Sequence, residues 1–398
     1  MLAVAPFRRA LLGLLLAIGL PMGLAACGSG GTLELNVTDV RQDETQGRQR
    51  VFVATTREHS TDNILFSGER GMRGSFATVD ISIPRDHKAG ELELPSSGPP
   101  TPSKHFTVTQ ARRLALPKIK AEVIAELNKR PPADRDVLVF VHGYNTTFAD
   151  AAFRFAQIVH DSGFKGVPVL FTWPSRGELL AYPYDRESAL FSRDFLEEGL
   201  RSISRDLGVA KFDVLAHSMG TMLMLEALRQ AEIRGDGSFG GKLRDVMLAA
   251  PDVDLDVFRT QARTIKRPIT VFVSKDDRAL SFSRRFAGDK RRLGALSSED
   301  TDSIAELKTL RVEIIDLSDV KTSDTLNHAK FAASPKIVAM IGKRLQADGG
   351  IGSSGSRTGD LLVGGVSGVV GSTVEFAVNA PVSIITGGRG PTLNLVGP

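Results

Sequence analysis

Residues 212–221 read Phe-Asp-Val-Leu-Ala-His-Ser-Met-Gly-Thr, an apolar strand that turns through small residues into a helix. The turn places Ser218 with Ala216 two residues before it and Gly220 two residues after it. A nucleophile elbow requires small residues at these positions, because the chain turns so sharply that a larger side chain would collide with neighbouring backbone. Ala216 replaces the more common glycine, and its methyl group is still small. The segment therefore predicts a nucleophilic serine at the end of a strand.

Apolar runs alternate with helical patterns on both sides of this segment. Each run is apolar throughout, as expected for a strand that is buried on both faces of a parallel sheet. The predicted strands are residues 137–141, 167–171, 212–215, 245–249, 269–273 and 312–315, and the predicted helices are 150–161, 191–207 and 221–232. This alternation predicts an α/β fold with a mostly parallel central sheet flanked by helices. Ligands of such a sheet lie at the carboxyl ends of its strands.

Strand-like sequence also precedes the alternation. Residues 51–54 are apolar, and Val79, Ile81 and Ile83 alternate with polar neighbours, which is typical of half-buried strands. These segments predict an N-terminal β extension of the sheet. Apolar residues at helical spacing between 108 and 130 predict a helix there.

A serine hydroxyl is a weak nucleophile until a base takes its proton, so a histidine must lie near Ser218 in space. His328 is the only histidine that follows Ser218 in the sequence, and it comes after the predicted strand at 312–315. An α/β-hydrolase carries its nucleophile, acid and histidine in that order along the chain. His217 adjoins the serine, but in an elbow we expect its side chain to point away from the hydroxyl. His328 is therefore the predicted base.

A carboxylate must fix the tautomer of this histidine and stabilise its protonated form. Asp277 comes just after the strand at 269–273, three residues past a turn serine, and is the first choice. Asp276 beside it is the second choice. Asp252, which follows the preceding strand, is the third, because some hydrolases carry the acid one strand earlier.

An oxyanion hole needs two backbone N–H groups directed at the developing negative charge. One should belong to Met219, the residue directly after the nucleophile. The other should come from the loop after the strand at 137–141, where Gly143 permits a turn and Tyr144 supplies the predicted donor.

Several motifs together resemble a family of bacterial α/β-hydrolases known as domain of unknown function 900. The matching pieces, which span roughly residues 50–340, are Val51-Phe-Val-Ala-Thr-Thr-Arg57, Phe140-Val-His-Gly-Tyr-Asn145, Leu170-Phe-Thr-Trp-Pro-Ser175, Leu215-Ala-His-Ser-Met-Gly220, Ala249-Ala-Pro-Asp-Val-Asp254, Val271-Phe-Val-Ser-Lys-Asp-Asp277 and Asn327-His328. The resemblance implies the α/β-hydrolase fold and hydrolase chemistry. It implies no particular substrate.

The stretch from 173 to 191 lies between a predicted strand and a helix, above the expected site, and is rich in apolar and aromatic residues. Trp173, Tyr182 and Tyr184 are candidates for substrate binding, as part of a lid or of an acyl-pocket wall. Packing of these side chains against the sheet explains the same pattern equally well.

The N-terminus resembles a bacterial lipoprotein signal. Arg8 and Arg9 precede an apolar run at 10–20, which is too short to span a bilayer, and Leu24-Ala-Ala leads to Cys27. Cleavage before Cys27 would leave it as an acylated N-terminus, carrying chains such as palmitate. An ordinary secretory signal with an incidental cysteine is the alternative. Because Gly28 follows rather than an aspartate, the prediction is a cell-envelope protein in the outer rather than the inner membrane.

These observations divide the chain into a signal peptide at 1–26, a tether at 27–48, a hydrolase domain at 49–345 and a glycine-rich tail at 346–398. The tail holds 13 of the 39 glycines, which is typical of a flexible segment, although attachment to the cell surface or to a polymer is also open.

Charge and composition exclude other classes of protein. Removal of Arg8 and Arg9 from the formal net charge of +4 leaves +2, too little for a nucleic-acid footprint. One cysteine cannot form an intrachain disulfide. No spacing of His, Asp and Glu suggests a catalytic metal, so no metal or other cofactor is expected.

The sequence therefore predicts a lipid-anchored serine hydrolase that cleaves carboxylic esters, either small molecules or lipids, through an acyl-enzyme. A thioesterase, amidase or acyltransferase would use the same three residues. A non-catalytic envelope scaffold is the alternative from a different class of protein.

Overall fold

The computed structural model describes residues 35–62 and 65–346, together with the backbone of residues 383 and 384. Within these residues, ten strands form one sheet in the order β10-β9-β8-β7-β6-β4-β5-β1-β2-β3. The strands are β1 (Thr45–His59), β2 (Phe66–Pro84), β3 (Thr107–Leu114), β4 (Val137–Val141), β5 (Val167–Thr172), β6 (Phe212–His217), β7 (Leu243–Ala249), β8 (Ile269–Val273), β9 (Val312–Asp316) and β10 (Ser383–Ile384).

Helices cover both faces of this sheet. They are α1 (Leu116–Leu127), α2 (Phe148–Ser162), α3 (Tyr182–Phe191), α4 (Arg193–Asp206), α5 (Met219–Ile233), α6 (Leu255–Thr264), α7 (Arg278–Phe286), α8 (Thr301–Thr309), α9 (Lys330–Ala333) and α10 (Pro335–Gln346). Helices α2, α9 and α10 pack on one face, and α1, α3 to α6 and α8 contribute to the apolar core on the other. None of the helices in the described ranges has the length and hydropathy needed to span a bilayer.

The central strands pair in parallel, and their register aligns their carboxyl ends. Val141 of β4 lies opposite Ala216 of β6, His217 lies opposite Ala249 of β7, and Ala249 lies opposite Phe272 of β8. The loops that follow these strands therefore meet at one edge of the sheet. The predicted α/β-hydrolase fold, with a mostly parallel sheet flanked by helices, is confirmed.

The N-terminal β extension is an antiparallel meander of β1, β2 and β3, joined to the rest by parallel pairing of β1 with β5. The prediction of a helix across 108–130 was wrong in its first part, because Thr107–Leu114 forms β3. Polar and apolar residues alternate at the start of β3, and its backbone groups pair with β2. Helical spacing begins only at Leu116.

The predicted boundary of the tether was also wrong. Leu35 and Val40 are buried, and the N–H of Thr38 donates to the carbonyl of Val108 at 2.9 Å. Residues from 35 onward therefore belong to the folded domain. The signal peptide, Cys27 and nearly all of the tail lie outside the described residues, except that Ser383–Ile384 pairs antiparallel with β9.

The predicted helix at 191–207 corresponds to α4, and a separate helix, α3, directly precedes it. Helix α3 ends at Phe191 and α4 begins at Arg193. Ser192 lies between them, fully buried, and its hydroxyl contacts Thr56 at 2.6 Å. The stretch that was predicted as a lid or pocket wall thus begins with a loop and ends in a helix packed against α5 and α4.

Candidate active site

Ser218 stands at the end of β6 with backbone angles φ 52° and ψ −125°, a conformation that non-glycine residues rarely adopt. Its N–H donates to the carbonyl of Ala249 at 3.0 Å, and its carbonyl accepts the N–H of Thr221 at the same distance. These bonds hold the strained turn between strand and helix. Asn145, Ala250 and Asn327, which also have positive φ, lie in the loops around the serine.

Glycine is required at two positions next to this turn. A Cβ at Gly220 would lie 2.2 Å from the carbonyl oxygen of His142, and one at Gly143 would lie 2.8 Å from the Cβ of Ser218. Both distances are shorter than real Cβ contacts. The loop after β4 is therefore packed directly against the serine, and Ala216, fully buried, fits where the usual first glycine of an elbow would be.

His328 is joined to Asp277. Its Nδ1 lies 2.7 Å from Oδ2 of the carboxylate, and the other carboxylate oxygen accepts the N–H of Leu280 at 2.9 Å, which caps α7. Nδ1 therefore carries a proton and Nε2 is left as an acceptor. Burial lowers the pKa of His328, but the charge and hydrogen bond of Asp277 outweigh burial and leave this pKa above its ordinary value.

His217 places this histidine beside the elbow. The two imidazole centroids are 4.6 Å apart, and Nε2 of His217 donates to the carbonyl of His328 at 3.2 Å. Burial and the nearby charge of His328 hold the pKa of His217 well below its usual range, so it is neutral. The Ser218 hydroxyl makes no hydrogen bond within the described ranges and is free to turn toward the ring. Such bonds commonly tighten only when substrate is bound.

The two alternative acids have other partners. Asp276 is paired with the buried ammonium of Lys330 at 2.8 and 2.9 Å, which outweighs burial and lowers its pKa. Asp252 accepts the hydroxyls of Tyr182 and Ser283 and forms an ion pair with Arg292. Of the three predicted carboxylates, the structure brings Asp277 to His328.

Two backbone N–H groups next to the elbow have no hydrogen-bond partner among the described residues. Met219 is the first residue of α5, where N–H groups have no partner inside the helix and the helix dipole favours negative charge. Tyr144 follows Gly143, whose backbone touches Ser218. Neither N–H donates a hydrogen bond to a residue that the structure describes. Both groups are therefore available to an anion.

A buried histidine supports the loop that carries Tyr144. Nε2 of His142 accepts the hydroxyl of Thr172 at 2.9 Å and the N–H of Trp173 at 3.2 Å, which leaves the proton on Nδ1 for the carbonyl of Gly143. Burial, followed by the charge of Arg57, lowers the pKa of His142 to about 3. His142 is therefore a neutral structural residue.

Trp173 does not line the site, contrary to the prediction that it binds substrate. It is fully buried, its ring stacks on His142 with centroids 5.0 Å apart, and its indole N–H donates to the His142 carbonyl at 2.9 Å. The sequence suggested a pocket residue because Trp173 directly follows β5, whose carboxyl end lies at the edge of the sheet that carries the site. Its indole instead fills the space under the loop.

Two buried charged residues that the sequence did not single out hold the same loop. Arg57 donates to the carbonyls of Thr146 and Ser175, both at 2.8 Å, and burial lowers its pKa to about 10. Asp185 accepts the N–H of Asn145 at 3.3 Å, and burial raises its pKa. Arg57 lies in one of the family motifs, whereas no pattern in the sequence marks Asp185.

The two tyrosines of α3 face different surroundings. The ring of Tyr182 lies 5.2 Å from that of Tyr144 and 6.2 Å from that of Phe286, which places it at the site. Tyr184 donates instead to the carbonyl of Gly68 in β2, and the guanidinium of Arg176 lies 3.8 Å from its ring centroid. Tyr184 therefore secures α3 to the β extension, and its role in substrate binding stays a prediction.

Exposed apolar side chains lie on the segments around Tyr144 and His328, and we call this set the rim. The hydroxyl of Tyr144 binds the carbonyl of Leu179, and the N–H of Arg278 binds the carbonyl of Leu326, two residues before His328. The exposed apolar residues of this rim are Leu179, Leu180, Phe282, Phe286 and Leu326. These side chains leave apolar surface exposed beside the candidate site.

The profile of one protein family matches residues 118–344, and its description is alpha/beta hydrolase of unknown function (DUF900). This match covers more than half of the chain. No curated protein matches the sequence of this chain.

Solved structures that resemble the chain include esterases of low sequence identity. The Pyrococcus furiosus esterase Pf2001 is 14% identical over 53% of this chain and 82% of its own, with a TM-score of 0.35. A Pyrobaculum calidifontis esterase is 13% identical over 76% and 86% of the two chains, with a TM-score of 0.33. The naproxen esterase of Bacillus subtilis is 10% identical over 54% of this chain and 84% of its own, with a TM-score of 0.30.

Proposed function

Because the chain belongs to the alpha/beta hydrolases of unknown function (DUF900), we propose that it is a serine hydrolase that cleaves carboxylic esters through an acyl-enzyme. The observation that carries the proposal is the 2.7 Å pair of His328 and Asp277 beside the strained elbow of Ser218. A buried carboxylate on Nδ1 leaves Nε2 as the base that a serine nucleophile needs.

In the first half of the reaction, Nε2 of His328 takes the proton of Ser218 as Oγ attacks the ester carbonyl. The carbonyl oxygen becomes an anion, which accepts hydrogen bonds from the N–H groups of Met219 and Tyr144. The C–O bond to the leaving alcohol then breaks, and protonated His328 returns its proton to that oxygen. The acyl group remains on Oγ of Ser218.

In the second half, water replaces the alcohol. Nε2 of His328 takes a proton from water as the water oxygen attacks the acyl carbonyl, and the same two N–H groups bind the anion. The bond to Oγ breaks, the serine recovers its proton from His328, and the carboxylic acid leaves. Asp277 keeps its negative charge and stabilises the imidazolium in both halves.

The surroundings of the serine favour esters with an apolar part. The rim residues Leu180 and Phe286 are 90% and 60% exposed, so apolar substrate surface can bury them. Thioesters, amides and acyl transfer to an alcohol would use the same residues. Matched ester, thioester and amide substrates, and an alcohol in competition with water, distinguish these reactions.

A fluorophosphonate probe tests whether the serine is activated. The full chain is treated with the probe, and peptide mass spectrometry locates the adduct. We expect labelling at Ser218 that is lost in His328→Ala and kept in His105→Ala, a control that removes a histidine of the β extension. Absence of labelling in folded protein would favour the non-catalytic scaffold.

We also propose that Cys27 carries acyl chains that anchor the protein in the bacterial cell envelope, in the outer rather than the inner membrane. Support comes from Arg8 and Arg9, the short apolar run after them and the small residues before the only cysteine. Growth with an alkyne-tagged palmitate tests this. Label should appear in the wild-type protein and be absent from Cys27→Ala.

A further inference from the structure

A cluster of two histidines and two carboxylates lies away from the serine. His87 stands in the turn after β2, Glu93 follows in the same loop, and His160 and Asp161 lie in the last turn of α2. Helix α2 begins at Phe148 beside the oxyanion loop, and a rise of about 1.5 Å per residue puts its last turn about 18 Å from that end. The cluster is therefore separate from the proposed catalytic residues.

Three of these residues bring their donor atoms close together. One ligand atom each from His87, His160 and Asp161 lies within 4.8 Å of the others. Nε2 of His87 is 2.8 Å from Oδ1 of Asp161, and the two imidazole centroids are 5.5 Å apart. Imidazole nitrogens and carboxylate oxygens are the ligands that zinc takes in sites with an open position.

The other donor atoms of His87 and Asp161 are each held by another group. Oδ2 of Asp161 accepts the amide of Gln157 at 2.6 Å and the N–H of Gly90 at 2.7 Å. Nδ1 of His87 is 2.8 Å from Glu93. A carboxylate on the far nitrogen of a histidine is the arrangement that orients histidine ligands of zinc.

His160 differs from the other members of the cluster in its hydrogen bonding. Its ring makes no hydrogen bond to any residue in the described ranges, although it lies against His87. An unbonded imidazole beside an oriented histidine–carboxylate pair leaves its ring nitrogens available to a cation.

We propose that His87, His160 and Asp161 bind a divalent transition metal, with zinc as the best fit, and that water completes a tetrahedral site. Zinc replaces the proton shared by His87 and Asp161, and Glu93 stays on the far side of His87. Tetrahedral ligands at 2.0–2.1 Å lie about 3.3 Å apart. The distance of 2.8 Å between Nε2 of His87 and Oδ1 of Asp161 must therefore increase slightly, and the ring of His160 must move closer to both atoms.

The metal would fasten the loop after β2 to the end of α2. The side chains of His87 and Asp161 are each only 2% exposed, so apart from its one water ligand the bound ion would be shielded from bulk solvent. This role is structural. It does not depend on the proposed esterase activity.

Zinc titration of the full chain tests the site. The protein, in detergent and stripped with a chelator, is titrated with zinc alone by calorimetry, and its melting temperature is measured with and without zinc. We expect one tightly bound zinc per chain and a higher melting temperature. In His160→Gln the affinity should fall at least ~100-fold and the zinc-dependent shift should disappear.

The choice of His160 keeps the test independent of folding. Because its ring holds no hydrogen bond, metal-free His160→Gln should melt at the wild-type temperature. His59→Gln, which removes an exposed histidine of β1, should bind zinc as the wild type does. Equal zinc affinity in wild type and His160→Gln, or no binding by the wild type, would overturn the proposal.

Discussion

Asp277 holds His328 with one carboxylate oxygen at 2.7 Å, and its other oxygen caps helix α7 at the N–H of Leu280. The acid is thus fixed by the helix that it starts, and it is almost completely buried. Its neighbour Asp276 points at Lys330 instead. Two adjacent aspartates therefore have different partners, and substitutions can tell them apart.

Asp277→Asn should lower kcat by about 10⁴-fold, because an amide no longer fixes the tautomer of His328 or stabilises its charged form. Asp276→Asn, the matched control, should change kcat by no more than a few-fold, since Asp276 pairs with Lys330. Steady-state hydrolysis of a soluble nitrophenyl ester measures both. A larger loss in Asp276→Asn than in Asp277→Asn would contradict the assignment of the acid.

Ser218→Ala and His328→Ala should each lower turnover by roughly 10⁴ to 10⁶, and the double variant should lose little more than either alone. The two residues act as one unit, because His328 serves only to activate Ser218. Once either is removed, loss of the other has little further effect on the rate. The residual rate would come from the oxyanion hole and substrate binding. Near-normal turnover in either single variant would remove that residue from the mechanism.

The pH dependence of kcat/KM should follow the protonation of His328. Protonated His328 cannot accept the proton of Ser218, so activity is lost as pH falls through the pKa of this histidine. Because Asp277 raises that pKa, the midpoint should lie above about 6.5, the value of an unperturbed histidine. In the residual activity of Asp277→Asn, the midpoint should move to lower pH. If the midpoint is the same in Asp277→Asn as in the wild type, the charge of Asp277 does not set the pKa that the pH profile measures.

Gly143→Ala should lower kcat by about 100-fold with little loss of fold. Its methyl group would lie 2.8 Å from the Cβ of Ser218 and 3.0 Å from Nδ1 of His217, so the loop must shift away from the nucleophile. Gly199→Ala in α4 is the control, since no atom lies within 4 Å of its added methyl group.

Gly199→Ala should keep full activity and gain up to about 1 kcal/mol in the free energy of unfolding, because alanine is the better helix former. Denaturant unfolding measures this gain. Unchanged kcat in Gly143→Ala would show that the loop after β4 is not closely coupled to the reaction.

The sequence predicted the central sheet and the elbow because both leave strong local patterns. Parallel strands buried on both faces are continuous apolar runs, and Ser218 needs small neighbours on each side. Strand β3 was missed because its short alternating stretch leads straight into the helical spacing of α1. Pairing with β2, a tertiary interaction, decided its conformation.

The remaining parts of the site depend on contacts between distant segments. Spacing favoured Asp277 and left Asp276 open, and contacts separate them, since Asp277 meets His328 whereas Asp276 meets Lys330. Trp173 follows a strand as a pocket residue would, yet the ring of His142 covers it. His87 and His160 belong to separate segments, so no motif announces that they meet.

The parallel pairing of β1 with β5 has a consequence for the order in which the chain folds. Thr55 of β1 binds Thr172 of β5 at a sequence separation of 117 residues, whereas β1, β2 and β3 are neighbours in the chain. Synthesis begins at the N-terminus, so the meander can form first. The edge of β1 that pairs with β5 then stays unpaired until β5 is made. Arg57 at the end of β1 supports the oxyanion loop. The site therefore becomes competent only when the earliest strands dock onto those made later.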